Sequence, residues 1–510
     1  MLKKSILAAF NIFISFFAYS QNEQDVLRYS QNKLFGSARV QGAGGAFGAL
    51  GADVSAIAIN PAGIALYRRN EISGSLAVTS YLIDSKYIGS LNTESKTGLN
   101  IPQFGLVFTR IQQGFNGDET KDLVSYSFGF AVNRLNDFNQ NSIFSGNNTK
   151  SSISDYFAEQ ANGKTFPNST PFNSYVNDIA GMAWSTYLID SIGTKKYGST
   201  FVSNNDTAFS VRQTNIQQIT GRLNEYSFSS GLNYSNFLYF GASLLFQNVS
   251  YESSNFFKET VDKSSSSSNL YTSSNFTSIV KTQGTGIGGR FGFIVKPIDF
   301  FRVGLSYTTP VRLNLKDEYS YGLSTVVGGS NFNYDSKERT DYFDYNLVTP
   351  SKLTVSAVIM HPKLGFISVD WDQIDYKSAR LTASSYEFLQ ANAAVKSNYT
   401  VANNVRIGAE LKYKNSRFRS GYAYYGSPYN ASSSGISLDN PTQSITGGLG
   451  FLFPSVDSYS SDFFIDGAMV YTWNTYYQTP YQLIEKGKTS YSAENQFTMM
   501  NFIVTAGFRF

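Results

Sequence analysis

The chain has 510 residues, with 41 Lys and Arg against 37 Asp and Glu, one His and no Cys. Without cysteine, disulfide scaffolds, thiolate metal sites and cysteine nucleophiles are excluded, and a formal charge of +4 over this length is too dilute for a nucleic-acid surface. Charged residues are only 15% while Tyr (35) and Phe (42) are abundant, which is an odd composition for a soluble surface.

The first residues carry the pattern of an export signal. Lys3 and Lys4 precede an apolar run from Ile6 to Phe17, and Ala18-Tyr19-Ser20 supplies a small-x-small cleavage site, so residues 1–20 read as a secretory signal peptide. The apolar run is shorter than the roughly 20 residues a spanning helix needs, and no comparable run follows. A helical inner-membrane protein is excluded.

Residues 21–69 show no alternation. They hold a glycine-dense stretch from Gly42 to Asp53 and then Asn60, Pro61, Ala62 and Gly63. Small residues let backbone approach backbone, as in a plug packed inside a barrel. A nucleotide-binding role for these glycines is not supported, because no strand precedes them. Gly284-Thr285-Gly286-Ile287-Gly288-Gly289 is set aside for a related reason, since it falls within a strand pattern.

From residue 70 onward the chain alternates, which predicts an all-β fold: a transmembrane antiparallel barrel occupying residues 70–510. Strands are expected near 70–83, 100–111, 121–137, 216–235, 237–253, 280–297, 300–316, 345–360, 365–380, 403–414, 417–427, 442–454, 460–474 and 497–510. These make about fourteen. In the seventh, Val303, Leu305, Tyr307, Thr309, Val311, Leu313 and Leu315 fall on one face and Arg302, Gly304, Ser306, Thr308, Arg312, Asn314 and Lys316 on the other. The last strand places Phe502, Val504, Ala506, Phe508 and Phe510 toward lipid.

Tight turns at 234–236, 296–299, 361–363 and 414–416 alternate with long Ser/Asn-rich loops, such as 254–279 with its Ser264 to Ser268 run. Short turns on one side and long loops on the other suit an outer-membrane barrel with both termini periplasmic. The longest extracellular insertion, 138–216, contains a helical pattern behind Pro171: Phe172, Tyr175, Val176, Ile179, Met182 and Ala183. This stripe either packs the loop onto the barrel rim or forms a greasy capture groove.

Parity turns Asp370, Asp372, Arg406, Glu410, Lys412, Arg417 and Arg419 toward the lumen. Opposite charges there form a ladder that relieves mutual desolvation. Alternatively, Arg302 or Arg406 is free to hold a carboxylate head group. His361, the single histidine, sits in a turn away from any membrane-level site, so a Ser-His hydrolase is not expected. No catalytic residue, metal site or cofactor is expected.

Four stretches together resemble the FadL-type outer-membrane transporters of long-chain fatty acids and hydrophobic compounds. They are the glycine-rich stretch with Asp53 and Asn60-Pro61-Ala62-Gly63; Arg302 to Val311; Thr349 to Leu353 with Val369 to Asp372; and Arg406 to Glu410 with Gly421 to Tyr424. The resemblance implies a 14-stranded barrel closed by an N-terminal hatch at residues 21–69. It implies an outer-membrane location and passive uptake of a small hydrophobic ligand, fatty-acid-like or aromatic. Capture would be by extracellular loops and release sideways through a kinked third strand. Phe172, Tyr175, Val176, Ile179, Met182, Arg302 and Arg406 are the candidate ligand contacts. Asn60, Pro61, Ala62 and Gly63 are the candidate hatch residues. Membrane lipid and the ligand are the expected partners, nucleic acid is not, and the alternative function is a non-transporting barrel subunit of an outer-membrane assembly or secretion complex with protein partners.

Overall fold

The structure, a computed structural model, describes residues 23–33, 35–113, 122–166, 179–199, 210–262, 271–335, 341–430, 441–454, 461–484 and 489–510. The expected signal peptide lies outside them.

Fourteen antiparallel strands close into a barrel. They are β1 (Glu71–Tyr87), β2 (Ser90–Ile111), β3 (Leu123–Asp137, resuming as Gln140–Asn148), β4 (Val211–Tyr234), β5 (Leu238–Val261), β6 (Tyr271–Ile298), β7 (Phe301–Thr308 and Arg312–Val327), β8 (Asp341–Val348 and Lys352–His361), β9 (Gly365–Asp375), β10 (Val401–Tyr413), β11 (Ser416–Tyr425), β12 (Thr442–Phe453), β13 (Asp462–Gln478) and β14 (Ala493–Arg509). Strand β14 returns to β1, with Arg509 opposite Glu71 and Glu494 opposite Lys86. Every strand thus has a neighbour on both sides, as a closed barrel in a medium without water demands.

Alternation sets the two faces of the wall. Ile72, Phe228, Leu244, Phe291, Leu305, Ile367, Ile407 and Phe502 are exposed on the outside, whereas Ser75, Thr79, Ser229, Ser356 and Thr505 are buried inside. A continuous outer belt of Phe, Leu and Ile is stable against lipid and not against water. The chain is therefore an outer-membrane-type barrel. Among the described residues no helix is long and apolar enough to cross a membrane.

Several strands run well past the expected boundaries. Residues 84–99 form a hairpin with a two-residue turn at Ile88 and Gly89, both at positive φ. Most of the expected loop 254–279 is strand: Leu238–Val261 and Tyr271–Ile298 pair from Leu238 opposite Val295 up to Thr260 opposite Ser273, while the Ser264 to Ser268 run lies outside the described residues. Ser, Thr and Asn alternate as regularly as apolar residues, and a strand with two polar faces carries no hydropathy signal.

The single register expected for 300–316 is also corrected. Val303, Leu305 and Tyr307 face out, but Val311, Leu313 and Leu315 are buried inside, and Arg312, Asn314 and Lys316 face out. The phase flips at Thr309-Pro310, where Pro310 has no N–H to give the ladder. Strand β8 breaks at the same height, at Thr349-Pro350, and the gap is bridged by Val311 N to Thr349 Oγ1 (2.9 Å) and Thr349 N to Val311 O (3.0 Å). Gly284, Gly286 and Gly288 of β6 leave room for Leu315, Leu313 and Val311, since a Cβ there would sit within 2.5–2.8 Å of those side chains.

Candidate functional site

The N-terminal segment fills the lumen. It contains helix α1 (Glu23–Ser30), helix α2 (Ala38–Gly42) and two 3-10 turns, Val54–Ala58 and Pro61–Leu66. Each turn begins on a side-chain cap: Asp53 accepts from Ser55 N and Asn60 from Ala62 N, with Pro61 at the first turn position. Asn60 also donates to Gly48 O (2.7 Å) within the segment and to Phe293 O (3.2 Å) in β6.

The wall meets this hatch through glycine. A Cβ at Gly241 would lie 2.2 Å from Pro61 C, at Gly408 2.1 Å from Ala43 O, at Gly421 2.3 Å from Gly44 N, and at Gly231 2.4 Å from Ile64. Four strands thus bring bare backbone against hatch atoms, so the hatch obstructs the axial route at close-packed contacts.

Charges lock the same contact. Arg406 holds Asp372 through two bonds, 2.6 and 3.0 Å, and reaches Asp370 at 3.3 Å. The Asp370 carboxylate accepts from Phe47 N (3.1 Å) and Gly48 N (3.0 Å) of the hatch. Arg419 spans Glu410 and Asp466, and Arg290 pairs with Glu225 through both guanidinium nitrogens. Each of these three buried guanidiniums faces a carboxylate, as a dry interior demands.

Above the hatch the lumen opens into a vestibule of about 270 Å³, bounded by α1, by β4 to β7 and by residues 478–481. One side is aromatic: Phe276 stacks on Tyr321 (centroids 6.2 Å), and Phe257 meets Tyr481 edge-on (5.7 Å). The other side is polar, with Asn215, Gln217, Asn255 and Gln478, and with Arg28 paired to Asp25 and lying 4.5 Å over the Tyr251 ring.

A cap roofs the vestibule. It consists of α3 (Ile153–Ala161), α4 (Ile179–Ser185) and a hairpin, Ile189–Gly193 with Lys196–Ser199. Its apolar residues bury against Phe257, Tyr271 and Leu323 of the barrel rim. Glu259 of β5 fastens α3, accepting from Ser152 Oγ (2.5 Å), Ile153 N (2.9 Å) and Gln213 Nε2 (2.6 Å).

The wall is interrupted beside the vestibule. The β2–β3 ladder ends at Gln103 opposite Asn133, just below Pro102, which cannot donate, and the bulge that shifts β1 against β2 there. Beyond this point β3 leaves its neighbour and pairs with the N-terminal segment instead: Phe35 N bonds Arg134 O (2.9 Å) and Lys33 N bonds Leu135 O (2.8 Å). Phe138, at the break between the two halves of β3, packs edge-on against Tyr29 and Tyr251. Tyr251 also lines the vestibule, so aromatic surface runs from cavity to break.

The expected contacts are distributed as follows. Phe172, Tyr175 and Val176, with Pro171, lie outside the described residues. Ile179, Met182 and Ala183 are buried in the cap, not presented in an open groove, because they pack onto the rim. Arg406 is committed to two aspartates, so it is not available to a carboxylate head group. Arg302 donates to Leu50 O of the hatch (3.2 Å). Neither arginine lines the vestibule. Asn60, Pro61, Ala62 and Gly63 are buried in the hatch. Asp370, Asp372, Glu410 and Arg419 are buried on the lumenal face, with Lys412 and Arg417 half-buried at its periplasmic end. His361 sits exposed in its turn. Among the described residues no group of three or more His, Asp or Glu could hold a metal.

No family model and no curated protein sequence matches the chain. Solved structures do. The chain is similar to a Pseudomonas aeruginosa FadL homologue, with a TM-score of 0.56 at 12% identity over 93% of this chain and 98% of that one. It is also similar to the P. putida toluene transporter TodX, with a TM-score of 0.52 at 14% identity over 94% and 99%. At such identities the likeness establishes the fold, a FadL-type barrel.

Proposed function

We propose that the barrel carries small hydrophobic molecules passively across the outer membrane, through the vestibule and sideways into the bilayer, while the hatch stays shut. One observation carries the reading: apolar and aromatic surface is continuous from the vestibule to the interruption in the β2–β3 wall, whereas the axial route ends on backbone contact. The toluene transporter of the same fold is consistent with a hydrophobic ligand. An apolar solute moving from water to vestibule to lipid loses exposed surface at each stage, about 25 cal/mol per Å². No energy source or chemistry is required.

The test is uptake of naphthalene by intact cells. Phe138→Asp places a charge on the apolar path while leaving the register of β3 against β4 intact; with assembly checked by heat-modifiable gel migration, uptake should fall at least to one tenth. Undiminished uptake contradicts lateral passage. Native mass spectrometry that found the barrel only as a stable complex with other proteins, its lumen empty, would favour a structural role.

A further inference from the structure

The vestibule carries a chemical signature beyond its apolar half. Asn215 is fully buried, and neither its Nδ2 nor its Oδ1 has a hydrogen-bond partner among the described residues. Asn255 Oδ1 and Gln478 Oε1 are likewise buried and unpartnered, and all three residues line the same cavity. A buried amide left unsatisfied is destabilising, so several converging on one cavity point to a bound group that satisfies them.

The kind of group follows from the amides. An amide offers both donors and acceptors, which matches a group that both gives and takes hydrogen bonds. Three of the four unpartnered atoms, Asn215 Oδ1, Asn255 Oδ1 and Gln478 Oε1, are acceptors, and an ionised carboxylate, which only accepts, would leave them unsatisfied. The opposite wall, with Phe257, Phe276 and Tyr481, suits a flat apolar body. A cavity of about 270 Å³ exceeds the 150 Å³ that accommodates benzene and leaves room for about two rings.

We infer that the vestibule binds an uncharged amphiphile, a one- or two-ring body bearing a hydroxyl or comparable neutral hydrogen-bonding group, oriented by Asn215 and disfavouring carboxylates. This rests on the uptake function proposed above and names its ligand class.

Naphthalene, 2-naphthol and 2-naphthoate share a body and differ in the group the amides would read. Their binding to the full-length barrel in lipid nanodiscs is measured by isothermal titration, with empty nanodiscs subtracted. The naphthol should bind at least tenfold tighter than naphthalene, and naphthoate weakest of the three. In Asn215→Leu the naphthol-to-naphthalene ratio should fall toward one, with folding checked by heat-modifiable gel migration. Because the ranking on the unaltered protein is itself a test, a variant that fails to fold does not rescue the inference. Equal binding of naphthalene and naphthol, or a preference for naphthoate, overturns it and leaves hydrophobic uptake standing. Binding of none of the three overturns both.

Discussion

The hatch contact can be tested by adding a single methyl group. In Gly241→Ala the new Cβ would stand 2.2 Å from Pro61 C and 2.3 Å from Ala62 N. Ordinary contact begins near 3.4 Å, so the hatch or the strand must shift by about 1 Å, and backbone atoms have no rotamer with which to yield. Overpacking of this kind costs about 1–3 kcal/mol. If that strain is relieved when the hatch moves away, the open fraction should rise about 5–150-fold. Planar-bilayer recording reads this directly as more frequent ion-conducting openings. Gly447→Ala and Gly467→Ala are the matched controls, because a Cβ at either position meets nothing within 4 Å. Conductance of Gly241→Ala indistinguishable from both controls would refute the account of the hatch as a backbone-sealed plug.

Three further outcomes follow from the same geometry. Arg406→Ala would strand Asp370 and Asp372 as buried charges, at a cost of about 3–5 kcal/mol, and protease cleavage of the hatch should rise while Arg417→Ala leaves it unchanged. Phe257→Ala removes a buried ring from beneath the cap, a loss of about 3–5 kcal/mol, and dissociation of bound naphthol in stopped flow should quicken. Glu259 lies above the apolar belt, and burial pushes its carboxyl up to about 7, against the pull of its bonds to Ser152, Ile153 and Gln213. The closed cap then retains a proton that an opened cap releases. Its stability should be fullest below the ordinary carboxylate value near 4.5 and decline as pH rises through 7. Hydrogen exchange in Ile153–Ala161, referenced to an unstructured peptide, should show that trend, and Glu259→Gln should flatten it.

Much of this was legible in the sequence because a barrel wall repeats one rule. Alternation locates a strand wherever one face is apolar, and it found all fourteen. It failed where the rule changes. Pro310 reverses the phase of β7, so Val311, Leu313 and Leu315 turn inward although nothing in their own alternation says so. The polar extensions of β1 and β2 have no apolar face to announce them, and those of β5 and β6 carry only isolated aromatics such as Phe257, Tyr271 and Phe276 among Ser, Thr and Asn. Inward charges were visible by parity at Asp370, Asp372 and Arg406, but the bonds that Asp370 accepts from Phe47 N and Gly48 N join segments more than 300 residues apart, and only the fold reveals them.

The vestibule was the least legible part. Asn215, Asn255 and Gln478 come from three strands, and each is an unremarkable polar residue in its own segment. Arg28 and Asp25 carried a local signal, an i,i+3 pair on a short helical stretch with Val26, Leu27 and Tyr29. Reading that amphipathic stretch would have placed α1 in the lumen. The glycines were informative in the opposite sense: Gly421 and Gly408 carried the resemblance, and the structure supplies its physical cause, the close approach of Ala43 and Gly44.

A ligand that leaves sideways travels around a closed hatch. With no native cysteine, Gly42→Cys with Ala468→Cys introduces the only possible disulfide, and the Cβ positions lie 3.5 Å apart, within bridging range. The disulfide ties the hatch to β13, and reduction releases it. The measurement is naphthalene uptake by the same cells before and after reduction. Equal rates in both states are expected. Uptake that stops on oxidation and returns on reduction would show that the hatch itself must move, and would contradict passage around a closed hatch.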